Sequence, residues 1–390
     1  MSRISGSSRA SKLMGRAGDG STLTLDFTTM GTTIDSRITF SRADATARAT
    51  FFNSSGIVTT VASAQAPRFD FDPTTFVAKG LLLEAPATNT VSYSGDFTQN
   101  SAGNWIGRTG LITTGSPPWT GFSSPDGGTA AVKLIADTPS TRHSIENDKP
   151  SITTGTTYTA SAFVKASGYT VANLTVTGAQ ARRNFTLSGA GSVGSGFGVA
   201  STGTITAIGS DGWYRITMTW TATDSFPVQF WVAIPQNSTT DSVVSWAGNG
   251  TSGIFAWGAQ LEVGSQASSY IQTTTASVPR AADTAIIAAG TNFSSWYTGG
   301  TTGTFVANWY GSASSSTARS VIATSDQTTK HLHMYQTASA LTLRLADFNA
   351  AATVTTANSL TANALTKGAF SYNGTATSLC LNGGTVATGT

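Results

Sequence analysis

The sequence predicts an all-β chain, with tandem antiparallel β-sandwich domains preceded by a short N-terminal arm and a small β entry domain. Three observations point there. Only 11% of the 390 residues are charged, against about 25% in an ordinary globular chain. Good helix formers are scarce, with just three glutamates (Glu84, Glu146 and Glu262), while Thr, Ser, Val, Gly and aromatics dominate. That composition favours strands and turns. Short runs also alternate apolar and polar residues between clusters of Gly, Pro and Asn.

Residues 1–20 have the composition of a flexible arm. Arg3, Arg9, Lys12 and Arg16 stand there without an acid, giving +4 against a net charge of +3 for the chain. The remaining 18 basic and 19 acidic residues nearly cancel. A near-neutral body argues against broad nucleic-acid binding, which needs many phosphate-neutralising cations. The arm therefore reads as an attachment peg for a protein partner.

Residues 21–88 read as short strands of a small anchoring domain. Leu23, Leu25 and Phe27 alternate, as do Ile38 and Phe40, and Leu81-Leu82-Leu83 form a buried run between Gly80 and Pro86. Residues 89–275 contain about eight strands, among them Tyr158–Val164, Val171–Val176, Trp213–Trp220 and Ile254–Leu261. Gly189–Gly198 separates two of them as a glycine-rich loop. Eight antiparallel strands of this size predict two packed sheets in a jelly roll. In Arg215–Trp220 the alternation points Ile216, Met218 and Trp220 inward and Thr217 and Thr219 outward. By the same pattern Trp213, Trp257 and Trp309 are core residues.

Residues 276–290 read as a linker, and residues 291–390 begin a second sandwich. Its strands include Thr304–Trp309, Val321–Ala323, Leu332–Tyr335 and Ala369–Tyr372, with hairpin turns at Asn373-Gly374 and Asn382-Gly383-Gly384. The strand count falls short of a complete fold. Either partner chains complete it or the sequence is a truncated form.

The most distinctive stretch runs from Ile254 to Thr274, IFAWGAQLEVGSQASSYIQTT. Its WGAQLEVGS and SYI elements resemble the closing segment of a sandwich common in bacteriophage tail and head fibre proteins, whose modules are similar to carbohydrate-binding jelly rolls. Three more stretches fit that family in the same order. They are Gly80–Asn89 (GLLLEAPATN) with Tyr93–Phe97 (YSGDF), Thr156–Lys165 (TTYTASAFVK), and Asp211–Met218 (DGWYRITM). Residues 21–88 resemble the entry domain that precedes such a sandwich. Gly303–Trp309 is similar to the first core strand of concanavalin-like (laminin-G-like) sandwiches. The resemblance implies a virion protein, a homotrimer docked to tail or capsid through its N-terminal arm, with sandwiches facing a host surface polysaccharide.

Little in the sequence supports catalysis. His331 and His333 would share a strand face and could ligate zinc with Asp326 or Asp347, although a ladder of exposed polar residues is the simpler reading. His143 reads as a loop or edge residue. Asp70, Asp72, Glu84, Asp96 and Asp211 are candidates for the carboxylate pair of a glycosidase. Turn formation explains Asp70, Asp72 and Asp211, and Glu84 closes a strand, pairing with Arg68. There is no nucleophile elbow, P-loop or dinucleotide fingerprint. Gly194–Gly198 precedes no helix that could receive a phosphate. Cys380, the single cysteine, excludes an internal disulfide and reads as a small buried apolar residue. A structural calcium in an Asp-rich loop has no assigned ligands, so no cofactor is expected. No apolar run reaches the length of a membrane span, and the N-terminus lacks the apolar core of a secretion signal. The expected site of synthesis is a host cytoplasm, with exposure on the assembled particle.

Glycan binding remains, because aromatic faces stack on pyranose rings. Trp119 and Trp246 lie in loops, and Trp231 sits opposite the inward Phe230 and Val232, placing it on an outer sheet face. The competing role for all three is to plug sandwich ends or a subunit interface. The expectation is a tail fibre or spike subunit that binds host glycan and is not an enzyme. The alternatives are a head fibre or capsid decoration protein, and a polysaccharide-degrading tailspike.

Overall fold

A computed structural model of the chain describes all residues except 1, 5–7, 18–21, 30–32, 99–104, 108–110, 113–119, 148–149, 179, 289, 291–301, 312–318, 326–330, 337–342, 348–352, 356–363, 374–375 and 390. Every regular element among the described residues is a β-strand, and every named strand pairing is antiparallel.

The middle of the chain forms two six-stranded sheets around one core. The first runs Leu111–Ile112, Val132–Ala136, Gly253–Val263, Thr157–Ser167, Trp213–Thr221, Ser201–Ile208. The second runs Trp105–Gly107, Ser144–Asn147, Phe230–Ala233, Val171–Val176, Ala181–Thr186, Ser192–Gly198. Leu134, Ile216, Met218, Trp220 and Leu261 from the first sheet meet Leu174, Phe185, Phe230 and Val232 from the second. Each such side chain contributes about 1.5–3 kcal/mol by leaving water. The inward Ile216, Met218 and Trp220 are buried and the outward Thr217 and Thr219 half-buried, as the alternation predicts.

Two sequence expectations change here. Strand Gly253–Val263 does not keep one alternating face. Ile254 and Ala256 face the core between the sheets, while Trp257 faces a second cluster with Phe163, Trp213 and Tyr270. At Gly258 (φ +64°) the strand bulges opposite Ser161 and Phe163, and Ala259 and Leu261 return to the main core. Such a bulge inserts one residue and shifts the side-chain phase. A Cβ at Gly258 would also stand 2.7 Å from the Phe163 ring. The second change is that Ser192–Gly198 is a strand paired with Ala181–Thr186. Its glycines make room for neighbours, since a Cβ at Gly196 would meet the Arg183 guanidinium at 2.5 Å.

The two ends of the chain build a second pair of sheets together. One contains seven strands, in the order Thr353–Thr355, Leu343–Asp347, His331–Gln336, Arg319–Ser325, Ser2–Ile4, Asp283–Ile287, Ile38–Arg42. The other runs Ala387–Gly389, Ala376–Leu381, Leu365–Asn373, Thr302–Gly311, Ser8–Ala17, Ala78–Leu83, Arg68–Phe71, with Thr22–Asp26 also paired to Ser8–Ala17. Their common core joins Ile38, Ala285 and Ile287 of the first of these sheets to Leu25, Leu81, Phe305, Trp309, Phe370 and Leu379 of the second. Phe305 and Phe370 stack at 4.8 Å.

These sheets divide the chain differently from the sequence reading. Residues 21–88 are no separate entry domain, because Thr22–Asp26, Ile38–Arg42, Arg68–Phe71 and Ala78–Leu83 share sheets with the C-terminal strands, while Thr50–Phe52 and Val58–Thr60 pair only with each other. Residues 276–290 are no bare linker. Val278–Arg280 pairs with Ala87–Asn89, and Asp283–Ile287 lies between Ser2–Ile4 and Ile38–Arg42. Strands of 291–390 pair with strands from the chain's own N-terminal part. The arm is likewise two inner strands, and the strands carrying Arg3, Arg9, Lys12 and Arg16 are paired on both sides. Composition suggested a free arm because backbone pairing leaves no mark on residue type. The middle sandwich is thus inserted into a base made from both ends.

Candidate functional site

Of the stretches behind the fibre resemblance, Gly80–Asn89, Tyr93–Phe97 and Ile254–Thr274 meet at the seam where the inserted sandwich meets the base. Thr157–Ser167 is the partner of both Trp213–Thr221 and Gly253–Val263. The loop after Gly253–Val263 is then tied down by polar side chains. Asn89, fully buried, donates through Nδ2 to the carbonyls of Ala259 (3.0 Å) and Ile271 (2.8 Å). Its Oδ1 accepts from the N–H groups of Val91 (3.1 Å) and Leu261 (3.2 Å). Ser94 and the Tyr270 hydroxyl lie 2.8 Å apart, and Thr273 donates to the Val91 carbonyl at 2.5 Å. Gln260 accepts from the Ile271 N–H at 2.7 Å.

Charged groups lock the same seam. Arg68 and Glu84 pair at 2.6 Å, as the sequence reading expected, and Arg68 also pairs with Asp283. Asp283 reaches Arg42 at 2.9 Å. Glu84 accepts from the backbone N–H and the hydroxyl of Ser269. Burial alone would raise the Glu84 pKa, but Arg280, Arg68 and the two Ser269 bonds outweigh it and hold the carboxyl well below its usual range. Glu262 differs. Burial pushes its pKa up, only partly offset by hydrogen bonds from Gln260 (2.7 Å) and the Ser268 N–H (2.8 Å).

All three glutamates are therefore buried, and two of them belong to the seam. The third, Glu146, lies on the outward face of the second sheet. That face is unusually polar and unusually covered. Ser144, Glu146, Asn173, Thr175 and Asn184 are all at most 1% exposed. The connection after Phe230–Ala233 folds over part of this row. Asn184 donates to the carbonyls of Asn237 and Thr240, Thr175 meets Ser242 at 2.8 Å, and Arg182 grips Asp241 with two nitrogens. Beside that lid stands Trp231, directly opposite Glu146 in the ladder.

Trp231 does lie on the outward face, but it is only 4% exposed. The Arg142 guanidinium covers its ring at 4.5 Å, and its Nε1 donates to Gln229 at 3.2 Å. Ser144 donates to Glu146 at 2.9 Å, and Arg142 Nη2 approaches the same carboxylate oxygen at 3.6 Å. Arg142 and Glu146 were missed by the sequence reading. The usable signal was the rarity of glutamate in a chain where the other two are structural.

The other candidates fall elsewhere. Trp246 is no exposed loop aromatic. It is 8% exposed, donates to the Ile234 carbonyl at 3.1 Å, and packs edge-on against His143 and Tyr169. His143 is buried rather than at an edge, with Nε2 3.0 Å from the Trp246 carbonyl oxygen. Trp119 lies outside the described residues, as do Asp326 and the side chains of Arg3, Arg9, Lys12, Arg16, His331, His333 and Asp347. Asp72 forms the expected turn, accepting from the N–H groups of Thr74 and Thr75. Asp70 is buried and accepts from the Phe52 N–H at 2.8 Å, a cross-strand role rather than a turn. Asp211 pairs with Lys165 at 2.9 Å. Cys380 is half-buried, its Sγ 3.3 Å from the Gly384 carbonyl oxygen. Among the described residues no cluster of three His, Cys, Asp or Glu is placed to hold a metal ion. No protein-family model matches this chain, and no curated protein matches it.

Proposed function

We propose that this chain is a structural protein of a bacteriophage virion, a tail fibre or spike subunit that binds host surface glycan without catalysis. In this reading the base that holds the N-terminal strands docks to the particle, the subunits form a homotrimer, and the inserted jelly-roll-like sandwich faces the host. Many sites of modest affinity on one particle would raise attachment through effective concentration.

The observation that carries the reading is the seam. Three of the stretches that resemble fibre modules, Gly80–Asn89, Tyr93–Phe97 and Ile254–Thr274, interlock through Asn89, Ser94, Glu84 and the loop 260–273 although they are distant in sequence. The environments of the seam carboxylates speak against catalysis by these two groups. Glu84 is held ionised by two arginines, and Glu262 is enclosed by its own loop, so neither is offered to a substrate.

The test is to incubate the purified chain with host capsule and lipopolysaccharide, measuring both retention and release of reducing ends. Retention without release is expected. Reducing ends that accumulate with time would replace the reading with a depolymerase. A particle map placing the chain on the capsid rather than the tail would replace it with a head fibre or decoration protein.

A further inference from the structure

We infer that the outward face of the second sheet holds a neutral pyranose subsite, formed by Trp231, Glu146 and Arg142, with Arg142 as its displaceable cover. The inference deepens the glycan-binding reading and rests on it.

The physical argument starts from how lightly Arg142 is held. Its side chain is 36% exposed. Its Nε is buried without a hydrogen-bond partner. The contact to Glu146 is 3.6 Å, longer than a hydrogen bond. Besides that ion pair, it is held by the face of Trp231 at 4.5 Å, a modest interaction at a partly exposed site. A guanidinium held this way has donors to spare and can swing aside.

Under it lies an indole whose other surroundings are fixed. Trp231 is anchored by Gln229 and stands in the ladder between Glu146 and Thr175. A sugar ring replacing the guanidinium would stack on the same face. Its hydroxyls would then meet one carboxylate that accepts and one guanidinium that donates. Hydroxyls do both at once, so a paired Arg and Glu suit a neutral sugar. An anionic sugar would meet the buried Glu146 carboxylate, and like charges at short range repel.

The experiment titrates the full chain by calorimetry with oligosaccharides of dextran, mannan and alginate. Binding of dextran or mannan fragments, with alginate weaker, is expected. Glu146→Gln keeps the shape but removes the charge, and Arg142→Ala removes a surface side chain. Each should weaken the neutral ligand at least tenfold while the melting temperature stays near wild type. Unchanged affinity in both variants overturns the subsite and leaves the glycan-binding reading standing. Preference for alginate overturns the neutral class. A wild-type chain that binds none of the three overturns the inference. The reading beneath it falls too only if host polysaccharide is also not retained.

Discussion

Glu84 accepts two hydrogen bonds from Ser269, one from its backbone N–H at 2.8 Å and one from its hydroxyl at 2.6 Å. The first residue closes a strand of the base and the second sits in the loop that closes the inserted sandwich. One carboxylate therefore reads the conformation of a segment 185 residues away while it neutralises Arg68 and Arg280.

Removing that carboxylate should be costly. Glu84→Ala leaves the buried Arg68 and Arg280 undercompensated, and breaking one partner of such a pair costs about 3–5 kcal/mol. Urea unfolding followed by tryptophan fluorescence checks the size. A loss under about 1 kcal/mol would show that the cluster is solvated in solution.

The two seam glutamates should respond to pH in opposite senses. The folded pKa of Glu84 is depressed, so its contribution is present above its ordinary value of 4.5 and is lost as pH falls toward the folded value. Glu84→Gln should thus destabilise at pH 7 and less so at pH 3. The folded pKa of Glu262 is raised, so below 4.5 its charge costs nothing, and the penalty grows as pH rises through the window up to the folded value. Glu262→Gln keeps the Oε1 acceptor and should raise the melting temperature at pH 8, with no gain at pH 4. Melting curves of both variants across pH 3–8 test the signs.

Asn89 satisfies four backbone groups with one side chain. Asn89→Ala would leave the carbonyls of Ala259 and Ile271 and the N–H groups of Val91 and Leu261 without it. Buried groups left unsatisfied cost about 1–3 kcal/mol each, so a total loss of at least about 3 kcal/mol is expected in chemical denaturation. Hydrogen exchange should rise first at Val91 and Leu261.

Much of this fold was legible because it is local. Leu81-Leu82-Leu83 and the alternation from Ile216 to Trp220 are consequences of side-chain period and burial, which residue type records directly. The Glu84–Arg68 pair was readable because 16 residues separate two rare buried charges. What escaped was non-local. Ser192–Gly198 looks like a loop until the bulk of Arg183 opposite it is known. The N-terminal strands have the composition of a tail, because inner position in a sheet is set by backbone hydrogen bonds. Trp231 was placed on the correct face by alternation, but its cover, Arg142, comes from a different element and no spacing rule points to it.

The N-terminal strands yield a prediction of their own. Ser2–Ile4 and Ser8–Ala17 stand between the C-terminal strands and the rest of the base in both sheets. Deleting residues 2–17 should therefore expose residues 302–389 to trypsin while the inserted sandwich stays protected. Digestion of both regions at wild-type rates would contradict that placement.

A double-mutant cycle between Glu84 and Ser269 bears most directly on the seam. Glu84→Gln and Ser269→Ala, singly and together, are measured by urea unfolding at pH 7. Direct contact predicts a coupling energy of about 1 kcal/mol or more, within the range for residues sharing one hydrogen-bond network. Strict additivity, within about 0.3–0.5 kcal/mol, would mean that base and inserted sandwich are not joined through these residues.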